Sequence, residues 1–102
     1  MARFDVHPNP ERTPEVPFVL DVQADLLDGV TTRVVLPLYR LHLYPRPARR
    51  LNPVLEVLGE PLVLLAHLPA TLPAKALPPP VANLSAEHGR IVDALDMLFQ
   101  GF

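Results

Sequence analysis

The chain has 102 residues, no cysteine and a formal net charge of −2, and 49% of its residues are hydrophobic while 20% are charged. This size predicts one domain with a modest core, and the lack of cysteine excludes disulfides, thiolate nucleophiles and cysteine-bound metal. A pI near 6.0 argues against nucleic acid as a direct partner. The apolar surplus indicates a buried oligomer interface.

No membrane or export signal is expected. The first residues lack the apolar segment of a signal peptide, and the longest apolar run, Leu62 to Ala66, is too short to cross a bilayer. The sequence therefore predicts a cytoplasmic protein.

The first half of the chain is read as short strands joined by loops, because its prolines and glycines fall mainly at segment boundaries. In the first of these segments apolar and polar residues alternate, Phe4 and Val6 with Asp5 and His7. The predicted elements are a first strand at Phe4 to His7, an exposed loop at Pro8 to Pro14, a second strand at Val16 to Gln23, a turn at Asp28-Gly29, a third strand at Thr31 to Leu38 with a possible extension from Tyr39 to Tyr44, and a basic loop at Pro45 to Arg50.

The middle of the chain predicts one more hairpin. Val54 to Leu58 and Leu62 to His67 flank Gly59-Glu60-Pro61, which has the composition of a turn. Pro37 predicts an edge or a bulge at the end of the third strand. Pro69 to Pro80 is predicted to be a proline-rich crossing, too irregular for long strands.

A single helix is predicted near the C-terminus. Ser85 is the expected N-cap, with Leu84 as the apolar staple before it and Gly101 as the stop. The helical spacing gives one apolar stripe of Ile91, Val92, Leu95, Leu98 and Phe99. The prediction is therefore a mainly β fold of five or six antiparallel strands over residues of about 2–67, a crossing at 69–80 and a helix at about 85–99, forming a small barrel or sheet with the helix packed on it.

Residues suited to catalysis are sparse. The four histidines lack the spacing of metal ligands, and capping accounts for Ser85, the only serine. Asp21 and Asp25 are interpreted as carboxylates of a solvated turn. The one basic cluster consists of Arg46, Arg49 and Arg50. Three interpretations are open for it: it binds RNA, it binds an acidic peptide, or it is a solvated loop without a partner. The sequence predicts a protein that is not an enzyme and holds no metal or cofactor.

Three segments stand out in combination: the strand from Phe18 to Asp25, the strand from Arg33 to Leu38, and the ending from Val81 to Phe102, with Leu51-Asn52-Pro53-Val54 in place between them. Together they resemble the CcdB family, the toxins of bacterial toxin–antitoxin modules. The resemblance covers the whole chain as one domain, residues 1–102.

The resemblance implies a fold, a target and a partner. The expected fold is an SH3-like, partly open barrel with a C-terminal helix, assembled as a two-fold homodimer. Relatives bind the A subunit of DNA gyrase and stabilise the state in which DNA is cleaved, which stops replication and supports plasmid maintenance. A small antitoxin of the CcdA type neutralises them with a disordered tail.

The residues expected to contact gyrase follow from matched positions, namely Leu26, Leu27, Asp96, Phe99, Gln100, Gly101 and Phe102. Gln100 stands where relatives have a tryptophan that stacks on a gyrase arginine. Loss of such a contact costs on the order of 0.5–2 kcal/mol per site.

The antitoxin is expected near the loop Pro8 to Pro14 and at Arg46, Arg49 and Arg50, where arginines suit an acidic tail. Two alternatives stay open. One is a degenerate dimer that binds its antitoxin, as a decoy or operon co-regulator, without poisoning gyrase. The other is an endoribonuclease of the MazF type, which shares the fold, with Arg33 or Arg40 serving RNA cleavage.

Overall fold

The computed structural model describes residues 2–25, 29–44 and 46–101. Within these ranges the chain forms seven β-strands and one α-helix. The elements are β1 (Asp5–Pro8), β2 (Phe18–Asp21), β3 (Thr32–Arg40), β4 (Val54–Val57), β5 (Glu60–Leu64), β6 (Ala70–Pro73), β7 (Ala82–Asn83) and α1 (His88–Gln100), with single 3-10 turns at Leu41–Leu43, Ala74–Ala76 and Ser85–Glu87.

The strands form one antiparallel sheet in the order β4-β5-β3-β2-β1-β7, and β6 pairs with β3 outside this path. The nine-residue β3 is the centre of the sheet. One of its edges pairs with β2. The other edge pairs with β6 along Thr32 to Val35 and with β5 along Leu38 to Arg40. The sheet curls into a nearly closed barrel with one helix, which confirms the expected mainly β barrel fold.

The main core lies between the concave face of the sheet and α1. Alternate residues of β2 and β3 point to this face, so that Leu20, Leu36 and Leu38 are completely buried, together with Ile91 and Ala94 of the helix. The opposite face carries a smaller apolar cluster of Val19, Val35 and Leu77, with Leu72 packed against it. The helix is thus fixed to the barrel by the first half of its length.

Pro37 lies inside the central strand, so the predicted edge or bulge is wrong. Its carbonyl accepts the Leu65 N–H at 3.0 Å, so the Pro37 nitrogen, which lacks a hydrogen, faces the edge of β3 that pairs with β6 and β5. On that edge the pairing with β6 extends along β3 as far as Val35, and the pairing with β5 covers β3 from Leu38 onward. The missing donor therefore falls at a junction between two ladders and costs no strand hydrogen bond.

The hairpin turn lies one residue earlier than predicted. Leu58 and Gly59 have φ angles of 51° and 83°, the pair of positive values that a two-residue type I′ turn requires. Glu60 and Pro61 belong to β5. The proline-rich crossing also contains more order than predicted, since it holds β6 and a 3-10 turn.

The helix begins later than predicted and without a serine cap. Ser85 opens a 3-10 turn and caps neither that turn nor the helix. Instead, the Asn83 Oδ1 accepts the Ser85 N–H at 2.8 Å, while its Nδ2 donates to Asp5 at 2.9 Å. At the other end Gly101 has a φ of 78° and donates its N–H to the Met97 carbonyl at 3.0 Å, which confirms the predicted stop.

Candidate partner-binding site on the C-terminal helix

The two halves of α1 have different environments. Ile91 and Ala94, in the first half, are fully buried. Leu95 and Leu98 are only half-buried, and Phe99 is 75% exposed. Of the predicted apolar stripe, Phe99 is therefore the member that faces solvent.

Four exposed residues lie within the last turn and a half of the helix, and we call them the helix tip: Asp96, Phe99, Gln100 and Gly101. Asp96 and Gln100 are four residues apart, so their side chains lie on neighbouring turns of one face, with Phe99 beside them. The structure thus brings together four of the seven residues predicted to contact gyrase. The other three, Leu26, Leu27 and Phe102, lie outside the described residues.

An apolar groove of about 270 Å³ separates the helix tip from the sheet. Its walls come from the end of β2, from the segment after β5 and from the helix, and include Val22, Ala24, Pro69, Leu95, Leu98 and Phe99. The groove is open to solvent along the exposed side of the helix. An open groove of this composition is suited to an apolar partner surface.

The end of β2 that forms one wall is held by a buried ion pair. Arg33 donates from Nε to the Asp21 Oδ2 at 2.7 Å, and the two side chains are 1% and 0% exposed. The other Asp21 oxygen accepts the Gln23 N–H at 3.0 Å, and the Gln23 Oε1 accepts the Val34 N–H at 3.1 Å. The interpretation of Asp21 as a residue of a solvated turn is therefore wrong.

The acidic side chains of the helix lie toward its C-terminus. They are Asp93 and Asp96, and the last turn has no basic residue. Asp96 is exposed, and no hydrogen bond or ion pair joins it to another residue in the described ranges. Since the C-terminal end of a helix carries partial negative charge, the helix tip combines an apolar side chain with an acidic field. Such a surface favours a cationic group on a partner.

The three arginines of the basic loop differ in their contacts. Arg46 and Arg49 are exposed, and no partner is assigned to them within the described part of the chain. Arg50 instead donates to both oxygens of Asp93 in the helix, from Nε at 3.1 Å and from the terminal nitrogen at 2.8 Å. The hydrogen bond from Arg50 lowers the pKa of Asp93, and the same bond raises the pKa of Arg50. Pro45 lies outside the described residues.

Asn52 has a structural role in the basic loop that was not predicted from the sequence. It is 3% exposed, and its side chain accepts the Ala48 N–H at 3.0 Å and donates to the Leu64 carbonyl at 3.3 Å. Its backbone N–H donates to the Ala48 carbonyl at 2.7 Å. An asparagine before a proline in a polar loop was the only sequence signal for this role.

The first loop is also organised by an asparagine. Asn9 is 9% exposed, and its Nδ2 donates to the Thr13 hydroxyl at 3.0 Å and to the Val16 carbonyl at 2.9 Å. The Asn9 Oδ1 accepts the Glu11 N–H at 3.0 Å. The predicted loop from Pro8 to Pro14 is therefore a fixed turn rather than an open connection, although its exposed residues remain accessible.

The arginines assigned to RNA cleavage are both engaged. Arg33 is buried in its pair with Asp21, and Arg40 pairs with Glu60 and donates from Nε to the Pro14 carbonyl at 2.8 Å. Neither is a free cation, which argues against their use in RNA cleavage.

The histidines are dispersed through the structure. His7 is completely buried, and its Nδ1 lies 2.7 Å from the Pro78 carbonyl oxygen. His67 contacts Asn52 through Nδ1 at 3.2 Å, and His88 packs edge-on against Phe4 at 5.5 Å between ring centres. Across residues 2–25, 29–44 and 46–101 no cluster of three potential metal ligands occurs.

Membrane insertion through a helix is also tested by the geometry. The described part of the chain contains no helix with the length and apolar character needed to span a bilayer.

The fold and the helix tip define a class of protein, small mainly β barrels with one C-terminal helix whose last turn carries exposed residues. A comparison with family models identifies the particular family. Residues 3–101 match the model of the CcdB family, described as CcdB protein. The chain belongs to the CcdB family, and this membership supports a toxin of the toxin–antitoxin type.

Proposed function

We propose that this protein is a toxin that binds the A subunit of DNA gyrase and traps the complex in which DNA is cleaved. The observation that carries the proposal is the helix tip, where Phe99 is 75% exposed beside Asp96 and Gln100. Truncating a large exposed aromatic of this kind at the centre of an interface typically costs 2 kcal/mol or more. In this proposal the protein acts by binding and not as an enzyme, and it works in the cytoplasm without a cofactor.

The proposed gyrase contact consists of the helix tip together with Leu26, Leu27 and Phe102. The carboxylate of Asp96 and the amide oxygen of Gln100 accept hydrogen bonds from a cationic gyrase side chain. Phe99 supplies the apolar contact and an aromatic face for the same cation. This combination replaces the stacked tryptophan of relatives with an ion pair and a hydrogen bond.

The active form is proposed to be a homodimer related by a two-fold axis near the helix ends. The apolar groove supports this arrangement, because Leu95 and Leu98 are only half-buried in one chain. A two-fold interface there covers Leu95 and Leu98 of each subunit with the same surface of the other and brings two helix tips together, with Phe99 at the rim of the interface.

The second partner is proposed to be an antitoxin of the CcdA type with an acidic tail. Arg46 and Arg49 support this part of the proposal, because both are exposed and no acidic side chain of the described residues neutralises them. A positive loop of this kind increases the rate at which an acidic, disordered chain is captured.

The decisive experiment is a DNA cleavage assay with the purified protein, host gyrase, ATP and supercoiled plasmid. We expect linear DNA to accumulate after denaturation of the complex, with a quinolone as the positive control for gyrase. Phe99→Ala is expected to weaken gyrase binding about thirtyfold, equivalent to about 2 kcal/mol. Leu43→Ala, which truncates a residue 46% exposed outside the helix, is the matched control and should leave cleavage unchanged.

A second candidate function is favoured by one observation, the amide side chain of Gln100 at the position of the stacking tryptophan. In this alternative the protein keeps the antitoxin-binding dimer and has lost the gyrase target, acting as a decoy or operon co-regulator. Absence of linear DNA with a competent gyrase, together with retained antitoxin binding, would establish it. Gln100→Trp discriminates further, since it should raise poisoning of a heterologous gyrase if the helix tip binds as in relatives.

A further inference from the structure

The loop of residues 46–52, which we call the arginine loop, is fastened at its base by Asn52. The two hydrogen bonds between Asn52 and Ala48, one in each direction, close the loop at 3.0 and 2.7 Å. The same side chain donates to the Leu64 carbonyl at 3.3 Å and contacts His67 at 3.2 Å. The base of the arginine loop is therefore anchored on the end of β5.

The arginine loop is fastened a second time, at its side, by the helix. Arg50 makes a two-point contact with Asp93, with its fork of donors aligned on both carboxylate oxygens. Arg90, one turn earlier in the helix, donates to the Val54 carbonyl at 2.7 Å. Two-point arginine–carboxylate contacts are the exposed ion pairs whose geometry is specific enough to orient a segment.

These contacts leave the three arginines of the loop in two different states. Arg46 and Arg49 point their charge at solvent, whereas the guanidinium of Arg50 is already neutralised by a carboxylate of its own chain. A partner carboxylate that approached Arg50 would first have to displace Asp93. A carboxylate at Arg46 or Arg49 has no such competitor among the described residues.

We propose that Arg50 is a positioning residue which, together with Asp93, holds the arginine loop in the conformation that presents Arg46 and Arg49 to the carboxylates of an acidic peptide. The choice of an acidic peptide rests on the proposed function, while the role of Arg50 rests on the contacts above. Pre-organisation of the loop reduces the entropy lost when the peptide binds. The contribution of Arg50 to affinity is thus indirect.

A charge swap tests this role. The variants are Arg50→Asp, Asp93→Arg and the double variant, which keeps the net charge of the wild type. The probe is a synthetic ten-residue peptide with five glutamates, and its Kd is measured by calorimetry. Hydrogen exchange of the Ala48 and Asn52 amides reports the order of the loop independently of any ligand.

We expect Arg50→Asp to weaken peptide binding on the order of tenfold and the double variant to restore it to within about threefold of the wild type. Exchange of the Ala48 and Asn52 amides should accelerate in both single variants and slow again in the double variant. Arg46→Ala and Arg49→Ala should weaken binding without changing that exchange. Lys75→Ala, which removes an exposed charge elsewhere, controls for net charge.

Two results would overturn the role of Arg50. One is a double variant that binds as weakly as Arg50→Asp, because a capturing arginine cannot be replaced by a carboxylate. The other is a rate of amide exchange in the arginine loop that stays the same in both single variants as in the wild type. If the wild type itself fails to bind the acidic peptide, the antitoxin part of the proposed function fails, and the exchange data still decide whether Arg50 orders the loop.

Discussion

Two arginine–aspartate pairs of this chain have the same chemistry in opposite environments. Arg33 and Asp21 connect β3 and β2 with side chains 1% and 0% exposed, whereas Arg50 and Asp93 connect a loop and the helix with side chains 43% and 49% exposed. Burial strengthens the attraction in the first pair but also removes the hydration of both charges. Solvent weakens the attraction in the second pair, so its main contribution is to orient the loop and not to stabilise the fold. Breaking the buried pair exposes the fold to the cost of a buried charge, while the exposed pair positions a surface.

The largest expected effect comes from breaking the buried pair. Asp21→Asn removes the carboxylate that accepts from the buried Arg33 guanidinium at 2.7 Å, and we expect a loss of about 3–5 kcal/mol in the free energy of unfolding. Urea denaturation followed by circular dichroism measures this loss. Asp96→Asn, at an exposed carboxylate, is the matched control and should change stability by no more than about 0.5 kcal/mol. A small loss in Asp21→Asn would mean that water reaches the pair.

A smaller effect is expected when both charges are removed together. Arg33→Met combined with Asp21→Leu removes both charges of this pair, so the double variant should be more stable than either single variant. Full recovery is not expected, because the Asp21 side chain also accepts the Gln23 N–H at 3.0 Å, and such a bond is worth about 1 kcal/mol. A double-mutant cycle from the same denaturation curves gives the coupling energy. Simple additivity of the two single losses would contradict a direct pair.

The smallest effect belongs to the exposed pair and depends on pH. Because the Arg50 hydrogen bond lowers the pKa of Asp93 in the folded protein, the pair stabilises the fold at pH values above the ordinary aspartate pKa. This stabilisation is lost as the pH falls through the lowered value. NMR titration of the Asp93 carboxyl should give a pKa below the ordinary aspartate value of 3.8. Arg50→Gln should return it toward that value, and an unchanged titration would exclude the pair in solution.

Salt separates the two pairs without any substitution at the aspartates. At 1 M salt the screening length falls to about 3 Å, which weakens contacts between exposed charges far more than buried ones. The effect of Arg50→Gln on loop exchange should therefore shrink in 1 M NaCl, whereas the stability loss in Asp21→Asn should persist. Equal salt sensitivity of the two would remove the distinction drawn from burial.

The barrel was predictable from the sequence because its signals are local. Alternation of apolar residues indicated β1, apolar segments bounded by turn residues indicated β2 to β5, and a helical spacing ending at Gly101 indicated α1. The turn of the last predicted hairpin was misplaced because Pro61 was read as a turn residue. In the structure the Pro61 nitrogen faces away from β4, beyond the last β3 pairing at Leu62, so no ladder hydrogen bond is lost.

The interactions that define the site were not predictable, because they join positions far apart in the chain. Arg33 and Asp21 are 12 residues apart and meet only through the register of β2 and β3. Arg50 and Asp93 are 43 residues apart, and nothing local to either indicates the other. The exposure of Phe99 is likewise a property of where the sheet ends, whereas helical periodicity assigns it to the apolar stripe.

The pairing of β1 with β7 has a consequence for how the protein is made. Asp5 lies opposite Asn83, 78 residues later, and the Leu84 N–H donates to the Phe4 carbonyl at 2.9 Å. At translation speeds of about 5–20 residues per second, about 4–16 s pass between the synthesis of β1 and that of β7, its second neighbour in the sheet. The nascent barrel stays open on that side throughout this interval. The helix cannot dock until the barrel that receives it is complete, so the surface that we propose to bind gyrase is assembled only after release of β7.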